Sequence, residues 1–424
     1  MLRARLQVRA RRRAEARGAR TRIEASRRLA SRNSASYAIR VADDRNPFNF
    51  GDIALDAGFA DRRQELAELT ADIRNGQNVV VFAPRRYGKS SLVWRAAQSL
   101  VARPEVLVAQ VDLMLTATKE QLAAALAKAI YEEIATPLFR VRERMTQVVS
   151  GLRIAPVVTV DPQTGELGFS FRAGHERADV DATLEALFEL PARLAASRGK
   201  RVAIVFDEFQ EILSLDPRLP SMMRSIFQTQ PDVAHVYLGS KRSLMRRLFN
   251  DKNEPFWRSA KQVELGLIPA DEFAPFLVER FEGTNRRLPA AIADGVLAWT
   301  GGHPYATQEL AYALWDETPR GRAANGETLA RALDAVLRSE NAHFTLVWER
   351  ASQVQRLVLQ ALALESTTSL TAAEYRNRHG LPGTSSVARA VEALVEDEVL
   401  RQEAPGSYVI AEPFLAEWLR RRLS

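Results

Sequence analysis

Residues 83–90 read Ala83-Pro84-Arg85-Arg86-Tyr87-Gly88-Lys89-Ser90, after the apolar run NVVVF and before SSLVWRAAQSLVA, which has helical spacing. This is the phosphate-binding pattern G-x-x-x-x-G-K-[ST] at every position but the first. A triphosphate concentrates negative charge that the N–H groups of a tight loop can receive. Gly88 admits the close approach, Lys89 reaches the outer phosphates and the Ser90 hydroxyl ligates Mg²⁺. A helix starting at Lys89 turns its positive dipole end to the same phosphates. Ala83 has less turn freedom than the usual glycine, and Pro84 offsets this by pre-setting a turn dihedral. The segment from Ala83 to Ser91 is therefore the expected cradle for a nucleoside triphosphate.

Asp207 lies 117 residues after Ser90, at the end of the apolar run RVAIVF, and is followed by Glu208. Asp207 suits a ligand of Mg²⁺, and Glu208 suits the group that orients or polarises an attacking water. Two acids after a strand also serve as an ordinary helix cap or surface loop. Their pairing with the phosphate loop favours chemistry. Nucleotide binding then rests on the loop, and hydrolysis on Glu208.

The elements that position these groups alternate. Strand patterns fall at 78–83, 106–112, 202–207, 234–239 and 262–267, with helical patterns at 89–102, 119–135, 182–197 and 220–228 between them. An amphipathic helix over 61–76 precedes the first strand, with Leu66, Leu69 and Ile73 on one face. Short apolar strands alternating with helices predict an α/β fold with a parallel sheet covered on both faces, its ligand at the carboxyl ends of the strands. Two alternating runs around Asp161–Gly165 predict a hairpin inserted at 152–172. After Pro269 the pattern is helical, a small bundle able to close over a nucleotide. The last stretch reads helix (Gln353–Leu364), two further helical segments, a hairpin near Pro405-Gly406 and a closing helix, the order of a winged helix.

The expected organisation is a basic, disordered tail at 1–45, a P-loop ATPase core at 46–268, a helical lid at 269–350 and a winged helix at 351–424. Within 46–58, turn residues and aromatic anchors predict an ordered lead-in to the core. The chain has no cysteine and only five histidines, without ligand spacing, so disulfides and thiolate metal sites are excluded. No apolar run is long enough to span a membrane, and a cytoplasmic setting is expected. The net charge of +7 conceals an asymmetry. Residues 1–40 carry thirteen arginines against two glutamates, which leaves −4 for residues 41–424. The tail reads as a disordered arm for nucleic acid or acidic lipid, a transit-like presequence, or the product of a translation start placed too far upstream. The recognition-helix position of the winged helix sets Arg389 against Glu392, Glu396, Asp397 and Glu398, an arrangement ill suited to a phosphate-lined groove.

From Asn46 to its C-terminus the chain resembles the archaeal-type ATPases of the STAND class, a group of AAA+-related P-loop proteins. The resemblance is carried by NPF, FADRRQEL, APRRYGKSSL, VFDEFQEI, LGSKRSLMRRLF, PFWR and GGHPY. It implies that Arg62 lies near the adenine edge and that Ser240 senses the γ-phosphate or the attacking water. It further implies that Arg258 stabilises phosphate charge in cis or from a neighbouring subunit. His303 and Pro304, in a Gly-x-Pro-like junction, would touch the nucleotide from the lid. A helix junction explains that last motif equally well, since glycines end one helix and proline opens the next.

The expected function is an ATP-dependent molecular switch using ATP/ADP and Mg²⁺, with an unidentified protein partner and scope for ATP-dependent self-association. Adenine is expected over guanine from the resemblance. Replication initiators and transposition helpers, which join an ATPase to a winged helix, provide the DNA-binding alternative. A scaffold that retains ADP is a third.

Overall fold

The computed structural model describes residues 45–51, 59–60, 62–101, 106–134, 157–160, 167–170 and 177–423. The tail over 1–44, the lead-in over 52–58 and the hairpin turn at Asp161–Gly165 lie outside them.

The first elements among the described residues are helix α1 (Arg63–Arg74), strand β1 (Val79–Phe82), α2 (Lys89–Val101) and β2 (Val106–Asp112). Helix α3 (Lys119–Ala129) is capped by the Thr118 side chain, which accepts from Gln121 N, and runs into a π-helical turn at Ile130–Ile134. A two-stranded antiparallel ribbon, β3 (Val157–Val160) and β4 (Leu167–Ser170), follows within the span expected for the hairpin. Then come α4 (Arg177–Arg198), β5 (Arg201–Asp207), the short α5 (Ile212–Leu215), α6 (Leu219–Phe227), β6 (Val233–Gly239), α7 (Arg242–Asn250) and β7 (Lys261–Glu264).

Five strands form one parallel sheet in the order β2-β5-β6-β1-β7. Strand β1 shows why both faces are covered: Val79 and Val81 pack with Leu69, Ile73 and Leu92 of α1 and α2. Val80 and Phe82 point the other way, into a core with Leu122, Leu187 and Met223 from α3, α4 and α6. A strand buried on both faces reads as an unbroken apolar run because each face of the pleat needs its own hydrophobic set. Strand β6 sits between β1 and β5. Three functional segments thereby emerge at one edge: the loop after β1, Asp207 at the end of β5 and Ser240 just after β6.

Beyond the sheet the chain is helical: α8 (Ala270–Glu282), α9 (Ala290–Thr300), α10 (Pro304–Asp316), α11 (Gly326–Ser339) and α12 (Asn341–Arg350). A winged-helix arrangement follows, with α13 (Gln353–Leu364), α14 (Ala373–Arg378), α15 (Thr384–Glu396), the antiparallel pair β8 (Leu400–Ala404) and β9 (Ser407–Ile410), and α16 (Pro413–Leu423). One apolar core runs from Phe273 through Leu310 and Leu362 to Leu419, without a break at residue 350. Phe48 joins it, set against Phe276 and Phe281 at 6.3 and 5.6 Å between ring centres. The lead-in is therefore pinned to the bundle. No helix among the described residues is long and apolar enough to cross a membrane.

Three elements differ from the pattern in the sequence. β7 stops at Glu264, short of 267, while α4 starts at Arg177, ahead of 182, and contains Pro191. Nothing in the alternation of residues marks α7, whose basic residues share a short helix with buried Met245, Leu248 and Phe249.

At the α9–α10 junction, Gly302 adopts φ +75°, and a Cβ there would lie 2.1 Å from Ile268 O. Only glycine fits. His303 then caps α10, its Nδ1 accepting from Ala306 N at 3.3 Å. Burial, reinforced by the Arg86 and Arg401 charges, lowers the His303 pKa to about 4. His235, stacked 3.9 Å from Phe227, is likewise held neutral by burial. An unfolded imidazole takes a proton near pH 6.5, so below that pH the unfolded chain binds more protons than the folded one. Stability should therefore fall as pH drops from 6.5 towards 4, with His303 accounting for about 3 kcal/mol at pH 4. In chemical denaturation across that window, His303→Asn, which keeps a capping acceptor, should flatten the dependence; an unchanged slope would remove His303 as its source.

Candidate active site

The loop after β1 turns tightly, with Arg86 at φ 65° and Gly88 at φ 83°. Arg86 is one of few non-glycine residues in the left-handed region, a conformation that needs local support. Its guanidinium supplies part of that support by lying 4.3 Å over the Tyr305 ring and by pairing with Glu412 at 3.0 Å. Lys89 opens α2 with its ammonium folded back, donating to Ala83 O at 3.1 Å and Pro84 O at 3.3 Å. Only 6% of the residue is exposed. Burial lowers its pKa, and the Glu208 and Asp207 carboxylates oppose that shift. A buried ammonium bonded to neutral carbonyls is suited to receive an anion.

Ser90 donates to Asp207 Oδ2 at 2.9 Å, which brings the hydroxyl and the carboxylate face to face. Burial raises the Asp207 pKa despite the hydrogen bonds it accepts from Ser90 and from the Glu208 backbone. Glu208 behaves in the opposite way. Burial opposes its ionisation, but hydrogen bonds from Gln210 and Ser240, with the Lys89 charge, outweigh it and hold the pKa below the usual carboxylate range. The Glu208 Oε2 accepts from Gln210 Nε2 at 2.5 Å, Ser240 Oγ at 2.7 Å and Ser240 N at 3.3 Å. Its backbone is left-handed, φ 50° and ψ 46°. Non-glycine residues hold such angles at a cost of about 1–3 kcal/mol, a pattern concentrated at functional sites. The two neighbouring acids thus differ: Glu208 stays ionised, and Asp207 is poised beside a hydroxyl.

Arg85, Arg86, Gly88, Lys89, Ser90 and Glu208 line a cleft of about 500 Å³ together with residues of α10, while Asp207 and Ser240 touch it through Ser90 and Glu208. From α10 come Pro304, Tyr305 and Gln308, with Asn49 and Phe50 from the lead-in. Gln308 Oε1 accepts from Asn49 N at 3.4 Å, and Phe50 packs edge-on against Tyr305 and Tyr312. The hydroxyl of Ser90 and the carboxylate of Asp207 form an all-oxygen pair of the kind that suits Mg²⁺.

The structure does not bring every expected residue to the cleft. Arg62 is 3% exposed and donates to Tyr87 O at 3.2 Å and Gly266 O at 2.7 Å, so it braces the loop from behind. Arg258 is exposed, stacked 5.3 Å from the neighbouring Trp257 ring, and is not among the cleft residues. His303 lies one position before the cleft, its ring 4.8 Å from that of Tyr87, while Pro304 lines it. Ser240 touches Glu208 directly. Gln210, Tyr305 and Gln308 were not singled out by sequence. Gln210 was signalled by its place two residues beyond Glu208, and Tyr305 and Gln308 by sharing a helical face one turn into α10.

Comparison with known proteins agrees with this architecture. Residues 59–310 match the family of ATPase domains predominantly from Archaea, and residues 342–421 match a winged helix domain. A Walker-type ATPase of Pyrococcus abyssi superposes with a TM-score of 0.62 at 18% identity, covering 88% of this chain and 99% of that one. The ORC2 protein of Aeropyrum pernix, solved in ADPNP–ADP complexes, gives 0.54 at 13% identity, with 89% and 97% covered. At such identities the structural likeness speaks for the fold. No curated protein matches the chain. With its family match spanning more than half of the sequence, the chain belongs to the ATPase domain family predominantly from Archaea, here followed by a winged helix domain.

Proposed function

We propose that this ATPase is a nucleotide-dependent molecular switch of the STAND class, in which the winged helix responds to what the phosphate loop holds. One observation carries the reading. Both arginines of the loop are engaged by carboxylates of the winged helix, Arg85 Nε by Glu398 at 3.6 Å and Arg86 by Glu412 at 3.0 Å. Triphosphate oxygens arriving at the loop compete for the same guanidinium groups. A nucleotide that binds one arrangement better than the other shifts the equilibrium between them. The organisation we propose is a basic tail at 1–45, a core at 46–268 with a ribbon inserted at 152–172, a lid at 269–350 and a winged helix at 351–424, in a cytoplasmic setting.

Within the site, the loop amides and Lys89 would hold the phosphates, and Ser90 with Asp207 would hold Mg²⁺, which would supply charge neutralisation for phosphoryl transfer. Glu208, kept ionised, accepts a hydrogen bond from the attacking water, and Ser240 and Gln210 fix its carboxylate. Pro304 and Tyr305 face the nucleotide from the lid, and His303 supports that contact through Tyr87. Arg62 acts through the loop it braces. Arg258 is left for phosphate charge offered by a neighbouring subunit, consistent with ATP-dependent self-association.

The second reading, an ATP-dependent DNA-binding protein, is favoured by the thirteen arginines of residues 1–40. Electrostatic binding through that tail is steeply salt-dependent and ends with its removal. Glu398, two residues past the end of α15, faces Arg85 of the phosphate loop, an intramolecular contact that favours the protein-contact reading over groove reading.

Two outcomes test the switch. Glu208→Gln should bind Mg-ATP as the wild type does while phosphate release falls by about 10²–10⁴-fold, the usual worth of a positioned base; undiminished release would take Glu208 out of the mechanism. Exposed ion pairs contribute about 0.2–1 kcal/mol each, so Glu398→Gln with Glu412→Gln should tighten ATP binding by a few-fold and leave Lys89-dependent binding in place. Fluorescent-nucleotide titration reads this directly, and an affinity equal to the wild type would sink the competition.

A further inference from the structure

An apolar groove lies between α8 and α9 and shares no residue with the nucleotide cleft. In α8, Phe273, Phe276, Leu277 and Phe281 are buried in the core. Pro275, Val278, Glu279 and Glu282 follow the i, i+3, i+4, i+7 spacing of the opposite face. Ala290, Ala293 and Asp294 of α9 form the facing wall. Alanines are too small to close the gap, which leaves about 400 Å³. The floor is apolar and the rim acidic. Glu279, Glu282 and Asp294 are exposed, and no described residue pairs with their carboxylates. The neighbouring Arg280 lies 5.0 Å over the Phe276 ring instead.

The described chain enters the fold at one end of this groove. Asn46 Nδ2 donates to Tyr312 O and to Asp316 Oδ1, both at 3.0 Å, which pins it to the end of α10. Trp315 Nε1 donates to Thr284 Oγ1 at 2.8 Å and so ties that end to the turn between α8 and α9. Residues 20–41 stand just upstream in sequence and carry six arginines against one glutamate, with Ile23, Leu29, Ile39 and Val41 among them. From Arg32 to Arg45 the chain can span at most about 45 Å, more than twice the length of about 20 Å that α8 covers.

We propose that residues 20–41 of this chain dock in the groove between α8 and α9, their apolar side chains on its floor and their arginines on Glu279, Glu282 and Asp294. Guanidinium groups meet carboxylates in a planar, bidentate geometry and are weakly hydrated, which suits a rim beside an apolar floor. Tethering in one chain gives the segment an effective concentration on the order of millimolar, so pairs that are weak singly suffice together. A docked segment has its arginines neutralised in cis and withheld from nucleic acid. The groove lies outside the cleft, so the proposal does not depend on the switch reading.

The test digests the full chain with trace trypsin at about 50 mM salt and follows cleavage within residues 20–41 by intact mass. Cleavage should be about tenfold slower in the wild type than in Glu279→Arg/Glu282→Arg/Asp294→Arg. The difference should vanish at about 1 M salt, where the Debye length is about 3 Å. All three positions are exposed, so the fold should survive, which circular dichroism checks. The milder pair Glu279→Gln/Asp294→Asn should be cut at an intermediate rate. Glu392→Arg/Glu396→Arg/Asp397→Arg, which reverses the exposed acids of the winged helix, should be cut as slowly as the wild type. Equal cleavage of the wild type and both groove variants at low salt would overturn the proposal, as would protection lost only in the winged-helix variant. Protection that fades on dilution would place the segment in the groove of a second copy and overturn docking in cis.

Discussion

The hydrogen bond from Ser90 to Asp207 joins the two halves of the site across 117 residues, and the core is arranged so that it can form. Ser90 rides on the first turn of α2, whose position follows from β1. Asp207 ends β5. Neither strand touches the other; β6 lies between them and sets their separation through two parallel ladders. That same strand delivers Ser240 to Glu208. A parallel sheet can hold this spacing rigidly because both faces are packed, which leaves the strands little freedom to slide or twist. Loss of apolar filling on either face would be felt at the site as misplacement of an oxygen.

Much of this was legible in the order of residues. Glycine, lysine and serine at fixed offsets from an apolar run specify a loop, a strand and a helix together, because the phosphate loop needs all three. The acid pair was legible for the same reason. What the sequence did not disclose depends on the third dimension. The resemblance put Arg62 near the adenine edge, whereas its guanidinium is buried behind the phosphate loop on the Tyr87 and Gly266 carbonyls, an outcome decided by where β7 ends. Arg258 sits on an exposed turn that no periodicity describes. Tyr305 and Gln308 belong to a helix whose pattern was clear, yet which face meets the cleft follows from the junction at Gly302. The basic stretch of α7 hid a helix whose apolar residues are too few to mark a period on their own.

The acidic end of α15 illustrates how composition acquires meaning from placement. Read alone, its carboxylates argue against a phosphate-lined groove. In the folded chain, Glu398 faces the phosphate loop, and its pKa is raised by burial while the Arg85 charge works against that shift. Charge of this sign is useful where a cationic loop must be covered, and it is exposed enough to be displaced.

The unbroken apolar core from Phe273 to Leu419 carries a mechanical consequence. The helices after β7 and the winged helix share that core without a seam, so they pack as one body. The connection from β7 into α8 joins this body to the sheet. There Ile268 N donates to Gly302 O at 3.0 Å, and the missing Cβ of Gly302 lets the backbones interlock. Arg62 grips the carbonyl of Gly266 two residues earlier, and its other grip is the carbonyl of Tyr87 in the phosphate loop. One buried guanidinium thus ties the phosphate loop to the segment that leads out of the sheet into the helical half, so a change of loop conformation cannot leave that exit untouched.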